Sequence, residues 1–367
     1  MQRAILSVLA LFLLVTAVSA QSLIGAKAAG MGGAGVASVT DLSSVYYNPA
    51  ELMRSEAKAG EAKLSLGIAF SNLDKMLDAI SNANKPSSFV LNNFSNDLNF
   101  SSNVNGVLGL NIKKIGLSVL PLASVKVSKP ASSTAGSVKA GARYDIVLTF
   151  GHSFSIPNLP IGSVDIGMNA KYINDTNGSV IAKLNPLLPD PNTAYGIQTI
   201  TSGSGVGFDL GVLTSVKVPL VTEIKVGAVI RDLGESIKYT PKSKPITIDK
   251  TTNSVVSGTE TTDADYTTNV DSSTAFGASV IIPGLGIQLA SDVEMTTTDT
   301  NLHFGLEYPL MMRTIALRAG LASGPNLGLT TIGAAFNFPV AALNLAFIFD
   351  SKVSNNSSMV FDLSLGI

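Results

Sequence analysis

Apolar and polar residues alternate with a period of two through fourteen stretches of this chain. In the last of them Met359, Phe361, Leu363, Leu365 and Ile367 share one face, and Val360, Asp362, Ser364 and Gly366 share the other. Successive strand side chains point to opposite faces, so one face of each ribbon meets an apolar medium while the other meets polar groups. The period predicts strands near 62–71, 104–113, 115–126, 138–153, 161–176, 204–218, 222–232, 272–282, 285–296, 301–309, 313–323, 327–338, 342–352 and 357–367. This is the pattern of an all-β protein, a fourteen-strand antiparallel transmembrane β-barrel, and an even strand count puts both ends on one side, the periplasm in bacterial barrels.

The connections support that topology. Links from even to odd strands are short and centre on Lys113-Lys114, Pro157 to Pro160, Pro219, Pro283, Pro309 and Pro339. Proline suits such turns because it fixes φ and lacks the N–H a ladder needs. The long links, 72–103, 127–137, 177–203 and 233–271, all fall on the opposite side. The Thr/Ser/Asp-rich stretch from Lys250 to Ser273 reads as a flexible outer loop.

The period also sets which residues face lipid. Leu285, Ile287, Leu289, Val293 and Met295 are predicted outside, with Gln288, Asp292 and Glu294 inside. Leu302, Phe304, Leu306 and Tyr308 oppose His303 and Glu307, and Ile315, Leu317 and Leu321 oppose Arg318. A lysine or arginine on the lipid face at mid-bilayer would cost about 2–4 kcal/mol, and the mid-strand charges fall almost entirely on the other face.

Composition narrows the class. Charged residues make up 14% and apolar ones 46%, so the deficit against a soluble domain is in charge. After residue 20 no apolar run is long enough for a transmembrane helix. The absence of Cys removes disulfides, thiolate catalysis and Cys-ligated zinc, and a net charge of −1 gives no electrostatic case for nucleic acid. Arg3, the apolar run from Ala4 to Val18 and the small-residue pattern Val18-Ser19-Ala20 read as a cleaved secretory signal over 1–20.

Residues 21–60 carry no sustained period. They run through Gly25, Gly30, Gly32, Gly33 and Gly35 to Tyr46-Tyr47-Asn48-Pro49-Ala50. Small residues suit a chain packed inside a narrow lumen, and Asn-Pro-Ala favours a turn that starts a short helix. The segment is therefore expected to be an amino-terminal plug, with 61–367 forming the barrel.

The Gly/Ala-rich start, the run from Asp41 to Ala50 and the fourteen strands together resemble the FadL-type outer-membrane transport family. That resemblance implies a hatch at Asn48, Pro49 and Ala50, capture of hydrophobic ligands by outer loops, and lateral release through a kinked third strand. Strings such as Arg231-Asp232-Leu233-Gly234 and Leu317-Arg318-Ala319-Gly320 are also similar to PorV-like secretion components and TraF-like conjugation proteins.

Several residues could carry ligand chemistry. Leu73, Met76, Leu77 and Ile80 fall at i, i+3, i+4 and i+7, an apolar stripe suited to hydrophobic capture or to packing the loop on the rim. Pro121 lies within the third strand, where the missing donor forces a bulge, an edge or a broken ladder, and the resemblance, with its kinked third strand, implies that this is the lateral gate. Arg143, Lys171, Arg231 and Arg318 project inward, either as carboxylate-binding groups or as partners of Asp145, Asp165, Asp209, Glu294 and Glu307. Gly30, Gly32 and Gly35 have dinucleotide-turn spacing but no preceding strand, and His152 and His303 lie in separate strands without a ligand cluster. No cofactor, metal or catalytic residue is implied. The expected function is passive uptake of hydrophobic small molecules such as long-chain fatty acids across the outer membrane, with outer-membrane lipid and the ligand as partners. The alternative is a non-transporting barrel serving protein secretion or conjugative transfer, with secretion-system proteins as partners.

Overall fold

The computed structural model describes residues 23–54, 60–72, 74–75, 98–129, 135–156, 161–184, 193–218, 221–249, 254–352 and 356–366. The predicted signal at 1–20 and the stripe Leu73, Met76, Leu77 and Ile80 lie outside the described residues.

Seven strands form the first half of the wall: β1 (Gly60–Ser71), β2 (Leu98–Ile112), β3 (Ile115–Lys129), β4 (Ala135–Ser155), β5 (Ile161–Leu184), β6 (Thr193–Val218) and β7 (Val221–Asp249). Three short strands follow, β8 (Ser254–Ser257), β9 (Thr261–Thr262) and β10 (Tyr266–Asn269), all paired with β7. The second half is β11 (Ser273–Ile281), β12 (Gln288–Met295), β13 (Thr300–Leu310), β14 (Ile315–Ser323), β15 (Gly328–Asn337), β16 (Ala341–Asp350) and β17 (Asn356–Gly366). Each wall strand pairs antiparallel with its neighbours, β7 pairs with β11, and β17 returns to β1 with Leu363 opposite Leu64. The result is a closed fourteen-strand antiparallel barrel.

Closure removes every edge that would leave backbone groups without partners in lipid. Outward side chains such as Leu117, Phe150, Phe208, Phe304 and Leu321 expose between 41% and 56% of their surface. Their strand neighbours Ser118, Thr149, Asp209, His303 and Arg318 are buried. An apolar belt of this extent exceeds what a soluble monomer shows, so the wall is built for a hydrocarbon surround.

The structure corrects several local expectations. Leu285 and Ile287 sit in the turn before β12 rather than on its lipid face, because Gly284 and Gly286 take positive φ there. Pro309 is the penultimate residue of β13, and Met311–Arg313 form the turn. Much of 177–203 and 233–271 is strand, not loop, because β5, β6 and β7 reach 24, 26 and 29 residues. The stretch expected to be a flexible loop after Lys250 contains β8, β9 and β10 instead. Polar backbone-satisfied strand can continue past the membrane as a hydrated ribbon, which a search for one apolar face does not detect.

Candidate functional site

Residues 23–54 touch the inward face of the wall on many sides. Ala26, Ala28, Ala29, Met31, Ala34, Ala37, Val39, Leu42 and Ala50 are fully buried. Helical turns cover Ala26–Gly30, Ser44–Tyr47 and Pro49–Arg54. Backbone donors that these short turns leave over are taken by wall side chains. Asp362 of β17 accepts Ala26 N at 2.7 Å, and Glu61 of β1 accepts Leu42 N at 3.0 Å. Asp292 of β12 accepts both Gly35 N at 2.6 Å and Val36 N at 2.9 Å. Thr331 of β15 accepts Gly32 N and donates to Gly30 O, each at 3.0 Å.

Asn48, Pro49 and Ala50 come together against β5 and β6. Asn48 Nδ2 donates to Val36 O at 2.9 Å and Val212 O at 3.2 Å, while its Oδ1 accepts Ala50 N at 3.1 Å. This close seat depends on glycines that face inward. Gly151, Gly167 and Gly211 are register partners across β4, β5 and β6. A Cβ on Gly167 would lie 2.2 Å from Pro49 C, and one on Gly211 would lie 2.0 Å from Asn48 Oδ1. On the far wall Gly305 and Gly320 are also register partners, and a Cβ on Gly320 would meet Gly32 N at 2.1 Å. Sequence reading missed these glycines. Their recurrence at inward positions of successive strands was the available signal.

Arg143, Lys171, Arg231 and Arg318 are each paired with a carboxylate of the chain. Arg143 holds both oxygens of Asp145 at 2.8 Å and reaches Glu235 at 2.9 Å. Lys171 contacts Asp209 at 2.9 Å, Glu235 at 3.0 Å and Asp232. Asp232 is brought there by irregular β6–β7 pairing, with positive φ at Asp232 and Gly234. Arg231 pairs with Glu294 at 2.8 Å and lies 5.6 Å from the Tyr46 ring centre. Arg318 meets Glu307 at 2.7 Å and Asn344 Oδ1 at 2.9 Å. Each of these four side chains thus stands against a carboxylate of the chain.

Pro121 sits at a break in the wall. The β2–β3 register runs from Leu98 opposite Lys129 to Asn105 opposite Leu122 and resumes at Leu108 opposite Val119. Gly106 and Val107 therefore lack ladder partners in Pro121 and Leu120, while pairing of Pro121 with Tyr144 on the other side persists. The missing proline N–H accounts for the one-sided loss. Directly behind the break lies an apolar cluster of Ile24, Leu42, Val45, Leu52 and Val107, with Tyr46, Met53 and Leu120 packed on it. Val107 and Leu120 thus belong both to the broken ladder and to the greasy contact with the amino-terminal segment. A cavity of only about 10 Å³ lies beside Tyr46 and Tyr47 and is bounded by Arg231, Asp292, Glu294 and His303.

These features define a class of protein: a fourteen-strand barrel with its amino-terminal segment on the inner wall and an apolar cluster behind a wall break. The chain matches no protein-family model and no curated protein sequence. Among solved structures, its fold is similar to the Pseudomonas putida toluene transporter TodX, at TM-score 0.56 and 13% identity, covering 94% of this chain and 98% of that one. The Ralstonia pickettii toluene transporter TbuX is similar at TM-score 0.58 and 12% identity, with 94% and 98% covered. A Pseudomonas aeruginosa FadL homologue is similar at TM-score 0.56 and 11% identity, with 95% and 98% covered. The likeness to FadL-type barrels is one of fold and extends over nearly the whole chain.

Proposed function

We propose that this chain is an outer-membrane channel for passive uptake of hydrophobic small molecules, with residues 23–54 as its plug and the wall break at Pro121 as its lateral gate. The observation that carries this reading is the coincidence of two features, the loss of β2–β3 pairing at Gly106–Val107 and the apolar cluster immediately inside it. Unpaired backbone facing hydrocarbon costs several kcal/mol per group, so such a break persists where another requirement sustains it. A ligand moving from the Ile24, Leu42 and Val45 cluster past Leu120 would stay in apolar contact until it met lipid. The solved channels of the same fold are toluene transporters and a FadL homologue, which supports the reading. The inward cations are already occupied by carboxylates, which favours neutral hydrocarbons over long-chain fatty acids as ligands.

Uptake of toluene and of a long-chain fatty acid into liposomes carrying the folded barrel tests the reading. Toluene entry that falls several-fold in Pro121→Val, with unchanged gel mobility of the folded barrel, supports the gate. Equal entry in both proteins removes it.

The secretion or conjugation alternative is supported by a different observation. β6 and β7 run to 26 and 29 residues while β12 has 8, so one side of the wall projects far beyond the other. A hydrated projecting ribbon suits protein docking, and full solute exclusion with no uptake of either ligand would favour that role.

A further inference from the structure

The end of the barrel that carries Gly60 and Gly366 has two unlike arcs. Its β2–β3 turn is Lys113-Lys114, whereas the β11–β12, β13–β14 and β15–β16 turns present Leu285, Met311, Met312, Phe338 and Val340. These five are among the most exposed apolar side chains, at 59%, 74%, 102%, 60% and 68%. The three turns touch: a Cβ on Gly286 would lie 3.1 Å from Pro309, and Asn337 Nδ2 donates to Arg313 O at 2.8 Å. Together they form one apolar surface, continuous with the outward side chains Leu306, Tyr308, Leu317 and Phe336 directly above.

Strand length says what covers that surface. A transmembrane strand needs about 9–11 residues to cross the hydrocarbon, and β11, β12, β13, β14, β15 and β16 have 9, 8, 11, 9, 10 and 10. Nothing is left over to lift the turns clear of lipid. Their backbone is also suited to that position, because several turn donors are satisfied within the chain. Thr314 N bonds Met311 O at 3.1 Å, Asn337 N bonds Thr314 O at 2.7 Å, Phe338 N bonds Ala341 O at 2.7 Å, and Gly286 N bonds Ile282 O at 2.9 Å. Met311, Met312 and Arg313 all hold positive φ, a costly conformation for residues with a Cβ, which turns two methionines outward in succession.

We propose that these three turns form an apolar foot embedded in the inner leaflet of the membrane, with Arg313 extending to phospholipid phosphates. The barrel then sits deeper along the β11–β16 arc than along the Lys113-Lys114 arc. The proposal rests on the membrane placement of the barrel, and the test separates the two.

The chain has no Cys, so single-cysteine variants can each carry one environment-sensitive fluorophore. Met312→Cys, Lys113→Cys and Leu317→Cys would be labelled after folding, in phosphatidylethanolamine/phosphatidylglycerol liposomes with and without brominated chains. The expected result is bromolipid quenching at position 312 within twofold of that at position 317, and little at 113. Quenching at 312 by aqueous iodide to the same extent as at 113 overturns the foot and leaves the surface open to a periplasmic protein. Aqueous behaviour at 317 as well would overturn the membrane placement itself.

Discussion

Lys63 and Asp362 lie 2.8 Å apart with both side chains fully buried, across the seam where β1 meets β17. Lys63 also reaches Asp41 at 2.8 Å, and Asp362 accepts Ala26 N. One buried cation therefore serves barrel closure and the seating of residues 23–54 at once. Removing one member of a buried pair leaves the other charge uncompensated, at a cost of about 3–5 kcal/mol. Lys63→Met is expected to lower the urea midpoint of the folded barrel in liposomes and to expose the amino-terminal segment to protease. An unchanged midpoint would show that Asp41 and Asp362 find other partners.

Glu51 gives a pH dependence of known sign. It is fully buried near the end of the amino-terminal segment, and its carboxylate oxygens have no hydrogen-bond partner among the described residues. Burial pushes its pKa up to about 7, partly offset by Lys225 at 3.9 Å and by Lys27 and Arg54, and reinforced by Asp165. A raised folded pKa means the seated segment binds the proton more tightly than the released one. Stability is fully present below about 4.5 and declines until the pH passes about 7. A shift of that size corresponds to roughly 3 kcal/mol. After correction for base-catalysed intrinsic exchange, the protection of residues 44–54 should fall between about pH 5 and about pH 7.5, and in Glu51→Gln it should stay constant. An equal fall in protection in both proteins would assign the effect to another group.

How much of this was legible in the chain depended on which side chains shared a periodic face. The fourteen wall strands were readable because hydrocarbon imposes an apolar residue at every second position, and Pro121 was readable because proline within such a run has few meanings. The hydrated parts of β6 and β7 were not, since with water on both faces Thr, Ser and Gly follow no sorting. Asp292, Asp362 and Glu61 could be placed inside by period, but their acceptance of Gly35, Ala26 and Leu42 amides links positions far apart in sequence. Gly167 and Gly211 read singly as weak points in strands; only register shows them forming one groove.

The matching glycine pair on the far wall, Gly305 and Gly320, makes a graded test possible. At Gly320 a Cβ would meet Gly32 N at 2.1 Å, backbone against backbone, whereas at Gly178 the nearest atom is 3.8 Å away. Overpacking a filled interior costs about 1–3 kcal/mol, and here either the wall or the amino-terminal segment must yield. Gly320→Ala should leave the barrel closed by gel mobility while increasing protease cleavage within 23–54. Gly178→Ala should match the unaltered protein in both respects. Equal cleavage in all three proteins would show that the segment shifts to accommodate a methyl group.

Arg318 distinguishes a ligand-binding cation from one that holds the interior. Its Nε is 2.7 Å from Glu307, its Nη1 donates to Asn344 at 2.9 Å, and its side-chain carbons pack on Gly30 closely enough that a Cβ there would lie 3.2 Å away. Lys27 stands 3.8 Å from the same Glu307, so the group joins β13, β14, β16 and the amino-terminal segment. Arg318→Met would strand Glu307 beside a single distant cation and leave Asn344 short of a donor. The expected outcome is a stability loss of roughly 2–3 kcal/mol by urea titration, with toluene and fatty-acid uptake reduced in proportion to the folded fraction. A selective loss of fatty-acid uptake at full stability would instead make Arg318 a carboxylate receptor, and would return long-chain fatty acids to the centre of the functional reading.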